Sequence, residues 1–341
     1  MVRLRILVAC VAVALALTSC STSTTDDDSD PKAATSVDPH AFPVTIEHAY
    51  GTTTIDREPK RVVTLGWSDQ DVALALGVVP VGAVKITWGG NAKDSTPWFD
   101  AKLAELGGNQ PTRYSDADGA PIEDIAKLAP DLILATNSGI TKKEYDKLSK
   151  LAPVVAFPGD PWVTSWQKSL EMIGEALGRS TLAQQVEEQT DKSIVDAAKA
   201  NPEIVGKSFI FAALTTTDMS KIDYYTPEDN RPRLLTDLGM VNAPIIEQIS
   251  KPGTFYGTIS AERADELTSD VFITYAETSK DLATFEHNDL LGQIPGIKDG
   301  HVLASTNQTD ALGLSAPSPL SIPYAMTHFV PQVAEAAGAP S

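Results

Sequence analysis

Residue types that catalyse or bind metals occur in this sequence, but not at the spacings their chemistry requires. A phosphate-binding loop needs G-x-x-x-x-G-K-[ST] so that backbone N–H groups cradle the phosphates. Gly77 and Gly82 have the glycine spacing, but Ala83 follows where the lysine should stand. A nucleophile elbow needs G-x-S-x-G, and Gly66-Trp67-Ser68 and Gly313-Leu314-Ser315 both lack the last glycine. No HExxH is present. Capture of a bare metal ion needs convergent histidines and carboxylates, or thiolates. His40, His48, His287, His301 and His328 are scattered without ligand spacing and read as surface or satisfied side chains. The sequence therefore predicts no enzyme, no resident metal and no cofactor of its own. Its carboxylates belong to a solvated acidic surface.

Cys20 differs because of where it stands. Arg3 and Arg5 precede the apolar run Ile6–Leu17, whose 12 residues are too few to cross a ~30 Å hydrocarbon core and suit a signal-peptide core. The run closes on Leu17-Thr18-Ser19-Cys20, which resembles a bacterial lipoprotein cleavage box. The resemblance implies cleavage after residue 19 and a diacylglyceryl group on the Cys20 sulfur. An ordinary signal peptide cut at small residues is the alternative, with Cys20 a bystander. After it, residues 20–41 have almost no large apolar side chains, and four of the five residues Asp26–Asp30 are aspartate. Such a stretch reads as a flexible tether, holding the protein at the outer face of the cell membrane.

Loss of residues 1–19 leaves 25 Lys and Arg against 45 Asp and Glu, a net charge of −20. That balance, without basic blocks, makes nucleic acid a poor partner. Cys10 goes with the leader, so an exported domain is left without a disulfide or catalytic thiol. Roughly 300 residues remain, enough for two lobes with separate cores.

The elements follow from periodicity. Val44–His48 and Thr52–Ile55 flank Tyr50-Gly51 as a hairpin. Arg61–Leu65 reads as a buried strand, Asp69–Leu76 as a helix closed by Gly77, and Val78–Val84 as the next strand. This alternation predicts an α/β fold with parallel pairing. An internal repeat extends it. Glu123-Asp-Ile-Ala-Lys-Leu128-Ala-Pro-Asp131-Leu-Ile-Leu134 matches Glu262-Arg-Ala-Asp-Glu-Leu267-Thr-Ser-Asp270-Val-Phe-Ile273. Each has Glu, Leu five residues on, Asp eight on, and then three apolar residues. A looser second pair runs from Val62–Leu65 to Gly77 and from Phe209–Leu214 to Gly239. Two matches in the same order predict two lobes of similar, Rossmann-like construction. Between them, helical periodicity runs from Trp162 to Lys199, interrupted at Gly178, with Ser180 able to cap the next helix. The expected organisation is residues 42–160, a connecting helical segment 161–200 and residues 201–341, with a ligand cleft between the lobes.

Arg61–Val84 (RVVTLGWSDQDVALALGVVPVGAV) and Ile122–Asn137 (IEDIAKLAPDLILATN) resemble the substrate-binding proteins of ABC importers for ferric siderophores, haem and cobalamin. The similarity runs from about Phe42 to Gly338. It implies two α/β lobes bridged by a single long helix that permits little closure. It also implies capture of a chelate outside the membrane and delivery to a permease dimer served by a cytoplasmic ATPase. In that family an exposed glutamate on each lobe engages permease arginines, and the matching positions are Glu123 and Glu262. A first-turn acid is also favoured by the helix dipole by about 0.3–1 kcal/mol, which alone would explain both.

In such an architecture ligands sit just past the C-terminal ends of strands. Trp67, Trp88 and Tyr275 follow strand-like runs, Trp162 opens the connecting segment, Arg113 precedes Glu123, and Tyr225 and Arg231 follow Phe209–Leu214. Aromatic faces suit planar, partly apolar chelates, and an arginine fork suits hydroxamate, catecholate or carboxylate oxygens. Some of these rings are expected in the core instead; Trp98, Tyr114 and Tyr256 are weaker candidates. The favoured ligand is a ferric siderophore, with a neutral or hydroxamate-type chelate ahead because the acidic chain disfavours anionic catecholates. A local arginine can override that within ~8–10 Å. Haem, with Tyr225 or Tyr275 as axial ligand, and cobalamin are the alternatives within the same importer type. A cell-surface lipoprotein without transport is the remaining alternative. The protein is expected to act as a monomer.

Overall fold

Short apolar runs build the centres of two sheets, where residues 62–64, 132–135 and 271–274 are buried on both faces as inner strands with parallel neighbours must be. A computed structural model of the chain describes residues 36–338. The cleavage box, Cys20 and nearly all of the tether lie outside the described residues. The chain enters through the antiparallel hairpin β1 (Val44–His48) and β2 (Gly51–Ile55). The first sheet holds β3 (Val62–Thr64), β4 (Gly82–Val84), β5 (Thr112–Tyr114), β6 (Leu132–Ala135) and β7 (Val154–Ala156). Its order is β5-β4-β3-β6-β7, parallel throughout. The strand expected over Val78–Val84 is only its last three residues.

The second sheet contains β8 (Ser208–Ala213), β9 (Lys221–Tyr225), β10 (Val241–Asn242), β11 (Tyr256–Ser260), β12 (Val271–Tyr275) and β13 (Val302–Ser305). Its order is β11-β9-β8-β12-β13, with β10 also on β8. This sheet is mixed: β9 runs antiparallel to both β8 and β11. The inserted β9 explains why the strand-to-glycine interval is longer in the second half. There the helix Asn230–Asp237 begins only after the chain has crossed the sheet edge and returned.

The repeated aspartate has the same task in both lobes. Asp131 accepts the backbone N–H groups of Lys60 (2.9 Å) and Arg61 (2.7 Å), just ahead of β3. Asp270 accepts both the N–H and the hydroxyl of Ser208, each at 2.7 Å, at the start of β8. Each carboxylate thus pins the start of its lobe's central strand by satisfying donors that the ladder leaves free.

The connection between the lobes is two helices rather than one rod. Trp166–Ala176 packs on the helix Asp69–Ala75 and on β1, while Ser180–Ala200 packs on it and on the helix Ser321–His328. Gly178, at φ +66°, separates them, and a Cβ there would stand 2.6 Å from the Phe42 ring. Arg179, not Ser180, takes the N-cap position. The 21-residue second helix spans about 30 Å at 1.5 Å per residue. One apolar cluster runs from Val62 and Leu134 through Leu170, Ile173 and Ile194 to Phe209 and Val271, so the helices join the two sheets into one core.

A further tie comes from the C-terminal segment. Leu312 and Ala316 sit in the first lobe's core, and Thr309 Oγ1 donates to Gly89 O at 2.9 Å. The buried carboxylate of Asp71 accepts Trp98 Nε1–H at 2.7 Å and the Ser318 hydroxyl at 2.9 Å. Burial pushes the Asp71 carboxyl up to about 6, against the opposing pull of Ser318, Trp98 and Arg113. The unfolded group titrates near 3.8, so folding takes up a proton between these values. Stability from this group is complete below pH 4 and falls by about 3 kcal/mol as pH rises through 6. Asp71→Asn keeps an acceptor for both donors and removes that loss. Its stability relative to wild type is expected to rise by 1 kcal/mol or more (about 3 at most) between pH 4 and 7, read from urea midpoints. A constant difference across that range would show that the wild-type carboxyl does not titrate there.

Candidate functional site

The C-terminal ends of strands from both sheets converge on a cavity of about 650 Å³. Trp67 leaves β3 and Trp88 follows β4, while Tyr225 and Tyr275 close β9 and β12. Arg231, in the first turn of the helix Asn230–Asp237, stands among them. Its guanidinium lies 3.9 Å from the Tyr225 ring centroid and 5.4 Å from that of Trp67, a cation between two aromatic faces from different lobes. Trp88 meets Tyr275 edge-on at 5.2 Å, again across the lobes.

Hydrogen bonds fix the orientation of this group. Asp229 caps the helix and accepts both Arg231 N–H (2.8 Å) and Arg231 Nη1–H (2.7 Å). Burial works against the cation, but the adjacent Asp229 carboxylate more than offsets it, so the guanidinium is held firmly protonated. Arg231 Nε–H donates to Tyr275 Oη at 2.8 Å. Tyr275 Oη–H in turn donates to Ser315 Oγ (2.7 Å), whose proton goes to Ala311 O (2.7 Å). Nη2 of Arg231 has no partner among the described residues, which leaves a donor pair in a cavity walled by rings.

The cavity continues past Trp67, Trp88 and Arg231 into a second space lined also by Lys85, Asp116, Trp162 and Phe255. Trp162 has a left-handed backbone, φ +67°, an uncommon conformation for an aromatic residue. Gly139 makes room for it, since a Cβ there would come within 2.3 Å of Trp162 Nε1.

Of the candidates named from sequence, Trp67, Trp88, Tyr225, Arg231 and Tyr275 share one cavity, and Trp162 lies on its continuation. Arg113 does not join them. It bonds Gln70, Val84 O (3.0 Å) and Ser95 (3.0 Å), and it stacks on Phe99 inside the first lobe. Trp98 and Tyr114 are core residues, the latter donating to Thr64 O. Tyr256 is half exposed beside the cleft. Sequence reasoning missed Thr215–Thr217, Glu277, Thr278, Asp281, Ser305 and Gln308 on the cavity wall. Thr215, Glu277 and Ser305 stand at or just past the ends of β8, β12 and β13, so the strand-end rule applied evenly to every strand would have found those three. Among the described residues no group of three or more His, Cys, Asp or Glu converges as for a metal.

The periodic pattern and this cleft have counterparts. The family model for periplasmic binding proteins matches residues 62–309. The chain belongs to the periplasmic binding protein family. Within solved structures of that kind it is similar to the iron-uptake ABC transporter substrate-binding protein PiaA of Streptococcus pneumoniae. Identity is 37% over 86% of this chain and 99% of the other, with a TM-score of 0.77. For PiaA in complex with ferrichrome the TM-score is 0.81. Among curated relatives, the probable siderophore-binding lipoprotein YfiY of Bacillus subtilis is 28% identical over 286 residues, 80% of this chain and 83% of its own. These family members are substrate-binding proteins rather than enzymes.

On the outer surface of this family member, Glu123 lies in the first turn of Ile122–Lys127 and Glu262 in the first turn of the 3-10 segment Ala261–Glu266. Both are exposed. Asp124 pairs with Lys127 and Glu266 with Arg263, whereas Glu123, Glu262 and Asp265 have no cationic partner among the described residues.

Proposed function

We propose that this protein is an extracytoplasmic, lipid-anchored solute-binding protein that captures a ferric siderophore of neutral or hydroxamate type and delivers it to an ABC permease dimer. The observation that carries the reading is Arg231: a buried guanidinium held between Tyr225 and Trp67 with an Nη2 group still free to meet chelate oxygens. The rings supply apolar faces for the chelate's backbone, and the free donors meet the oxygens that bear partial charge around the metal. The complex of PiaA with ferrichrome, a relative 37% identical, supports the ligand class.

Charge supports it too. Arg231 is balanced by Asp229, and Lys85 lies 3.1 Å from Asp94. Glu277, Asp281 and Asp116 line the cleft with no cation paired to them among the described residues. A multiply anionic catecholate or citrate complex meets net repulsion there, of about 1 kcal/mol per charge pair at 4 Å in water. Haem is less well served. Burial pushes the Tyr225 hydroxyl above its ordinary value, and Tyr275 Oη is already engaged by Arg231 and Ser315.

The tether lets a monomeric domain search near the membrane while the cleft holds the chelate, and Glu123 and Glu262 dock the loaded domain on the permease. The core shared by the two lobes and the C-terminal tie restrict lobe motion, so selectivity rests on cavity contacts. The test is tryptophan quenching of the domain from Phe42 with ferrichrome, ferrioxamine B, ferric citrate, a ferric catecholate, haem and cobalamin. Micromolar or tighter binding of the hydroxamates, at least tenfold over the anionic chelates, is expected. Tight binding of haem or cobalamin alone would change the cargo, and silence across the panel would defeat the reading.

A further inference from the structure

A side groove of about 470 Å³ opens from the cleft on the second lobe, lined by Trp162, Tyr224, Ile249, Lys251, Phe255 and Tyr256. It shares Trp162 and Phe255 with the space that continues from the Arg231 cavity, so the groove adjoins that space at these two rings. We propose that this groove is a second ligand subsite that takes an apolar acyl or aryl arm of the chelate, while the metal-bearing head sits against Arg231. The inference rests on the chelate reading above and names the part of the ligand class which that reading leaves open.

The groove is built for an arm rather than for a second head. Its walls are mainly aromatic and aliphatic, and the hydroxyls of Thr254 and Thr258 in the lining are already spent on Lys251 O and Asp223. The Phe255 and Tyr256 rings lie 4.8 Å apart, and Tyr256 is 51% exposed. The Tyr224 hydroxyl is already spent on Ile249 O at 2.8 Å, which leaves that wall its ring face and no free donor. Lys251 is the single cation of the lining and has no ion-pair partner among the described residues; its aliphatic stem adds to the apolar wall while the ammonium stays in water. The lining is also fixed before a ligand arrives. Thr226 N–H bonds Phe255 O (3.1 Å) and Gly253 N–H bonds Glu228 (3.0 Å), tying the loop Lys251–Phe255 to the segment that follows β9. Preorganised walls lower the ordering cost of binding. At the junction Trp162, held in its left-handed conformation over Gly139, presents its ring to both spaces, so an arm leaving the head must pass along it.

Two neutral amides of ferrioxamine B test this, one acetylated and one octanoylated on the free amine, so that only arm length differs. On the full extracytoplasmic domain, octanoyl is expected to bind at least tenfold tighter than acetyl, as burial of added methylenes requires. Tyr256→Ala, which touches only the side groove, should erase most of that gain and leave acetyl affinity unchanged. Equal affinity of the two amides, or a gain that survives both Tyr256→Ala and Phe255→Ala, would overturn the subsite while the chelate reading stands. Failure of both amides to bind would overturn the hydroxamate reading and the subsite together.

Discussion

Arg231→Ala is expected to weaken ferric hydroxamate binding on the order of a hundredfold and to destabilise the protein as well. The affinity loss comes from charge-assisted hydrogen bonds to chelate oxygens, each about 1.5–3 kcal/mol, and from the collapse of the stack between Tyr225 and Trp67. The stability loss has a separate source. Asp229 is 3% exposed, and removing its partner strands a buried carboxylate, at a cost of about 3–5 kcal/mol. The double variant Asp229→Asn with Arg231→Gln separates the two effects, because a neutral pair can still hydrogen-bond. It should recover most of the urea midpoint without recovering affinity in tryptophan quenching. Wild-type affinity in a folded Arg231→Ala protein would make the guanidinium a wall of the cavity and not a ligand group.

Uptake is where the second large effect is expected. Glu123→Ala combined with Glu262→Ala should cut iron delivery in cells at least tenfold while the chelate titration of the purified protein stays unchanged. The two glutamates occupy equivalent places in the repeat, each exposed, each in a first turn, and each without an ion-pair partner among the described residues. The helix dipole alone would give a different result: about 0.3–1 kcal/mol lost per site in stability and nothing in uptake. Single variants should fall between, as docking of each lobe on its own permease subunit requires. Normal uptake by the double variant would reduce both residues to helix-terminus acids.

Much of this protein was determined by sequence alone, where local pattern carries the information. The repeat Glu-x₄-Leu-x₂-Asp followed by three apolar residues marks a turn of helix and a buried strand from nearby chain alone, whereas the tie its aspartate makes reaches far back along the chain, to Lys60 and Arg61 in one lobe and Ser208 in the other. Asp131 and Asp270 stand eight residues after their glutamates because that distance returns the chain to the start of the central strand. Runs of buried apolar residues, closed by Gly77 and Gly239, likewise announced two lobes of similar build. The rule that ligands meet the C-terminal ends of strands brought Trp67, Trp88, Tyr225, Arg231 and Tyr275 into view.

Only tertiary structure decided between look-alikes. Arg113 and Arg231 both stand near strand ends and both stack on a ring, yet one turns inward to Gln70, Ser95 and Val84 O while the other meets the cleft. Strand position fixes the end of the sheet at which a side chain stands; which way it turns depends on what packs against it from elsewhere in the chain. Trp88 and Trp98 divide in the same way, because Asp71 and Tyr324 claim the second. The antiparallel β9 alternates, with only Ile222 and Tyr224 buried, and five alternating residues name neither partner nor direction, which pairing with β8 and β11 decides. Ser318, 247 residues from Asp71, closes the lobes on each other at a distance in sequence that no local pattern can encode.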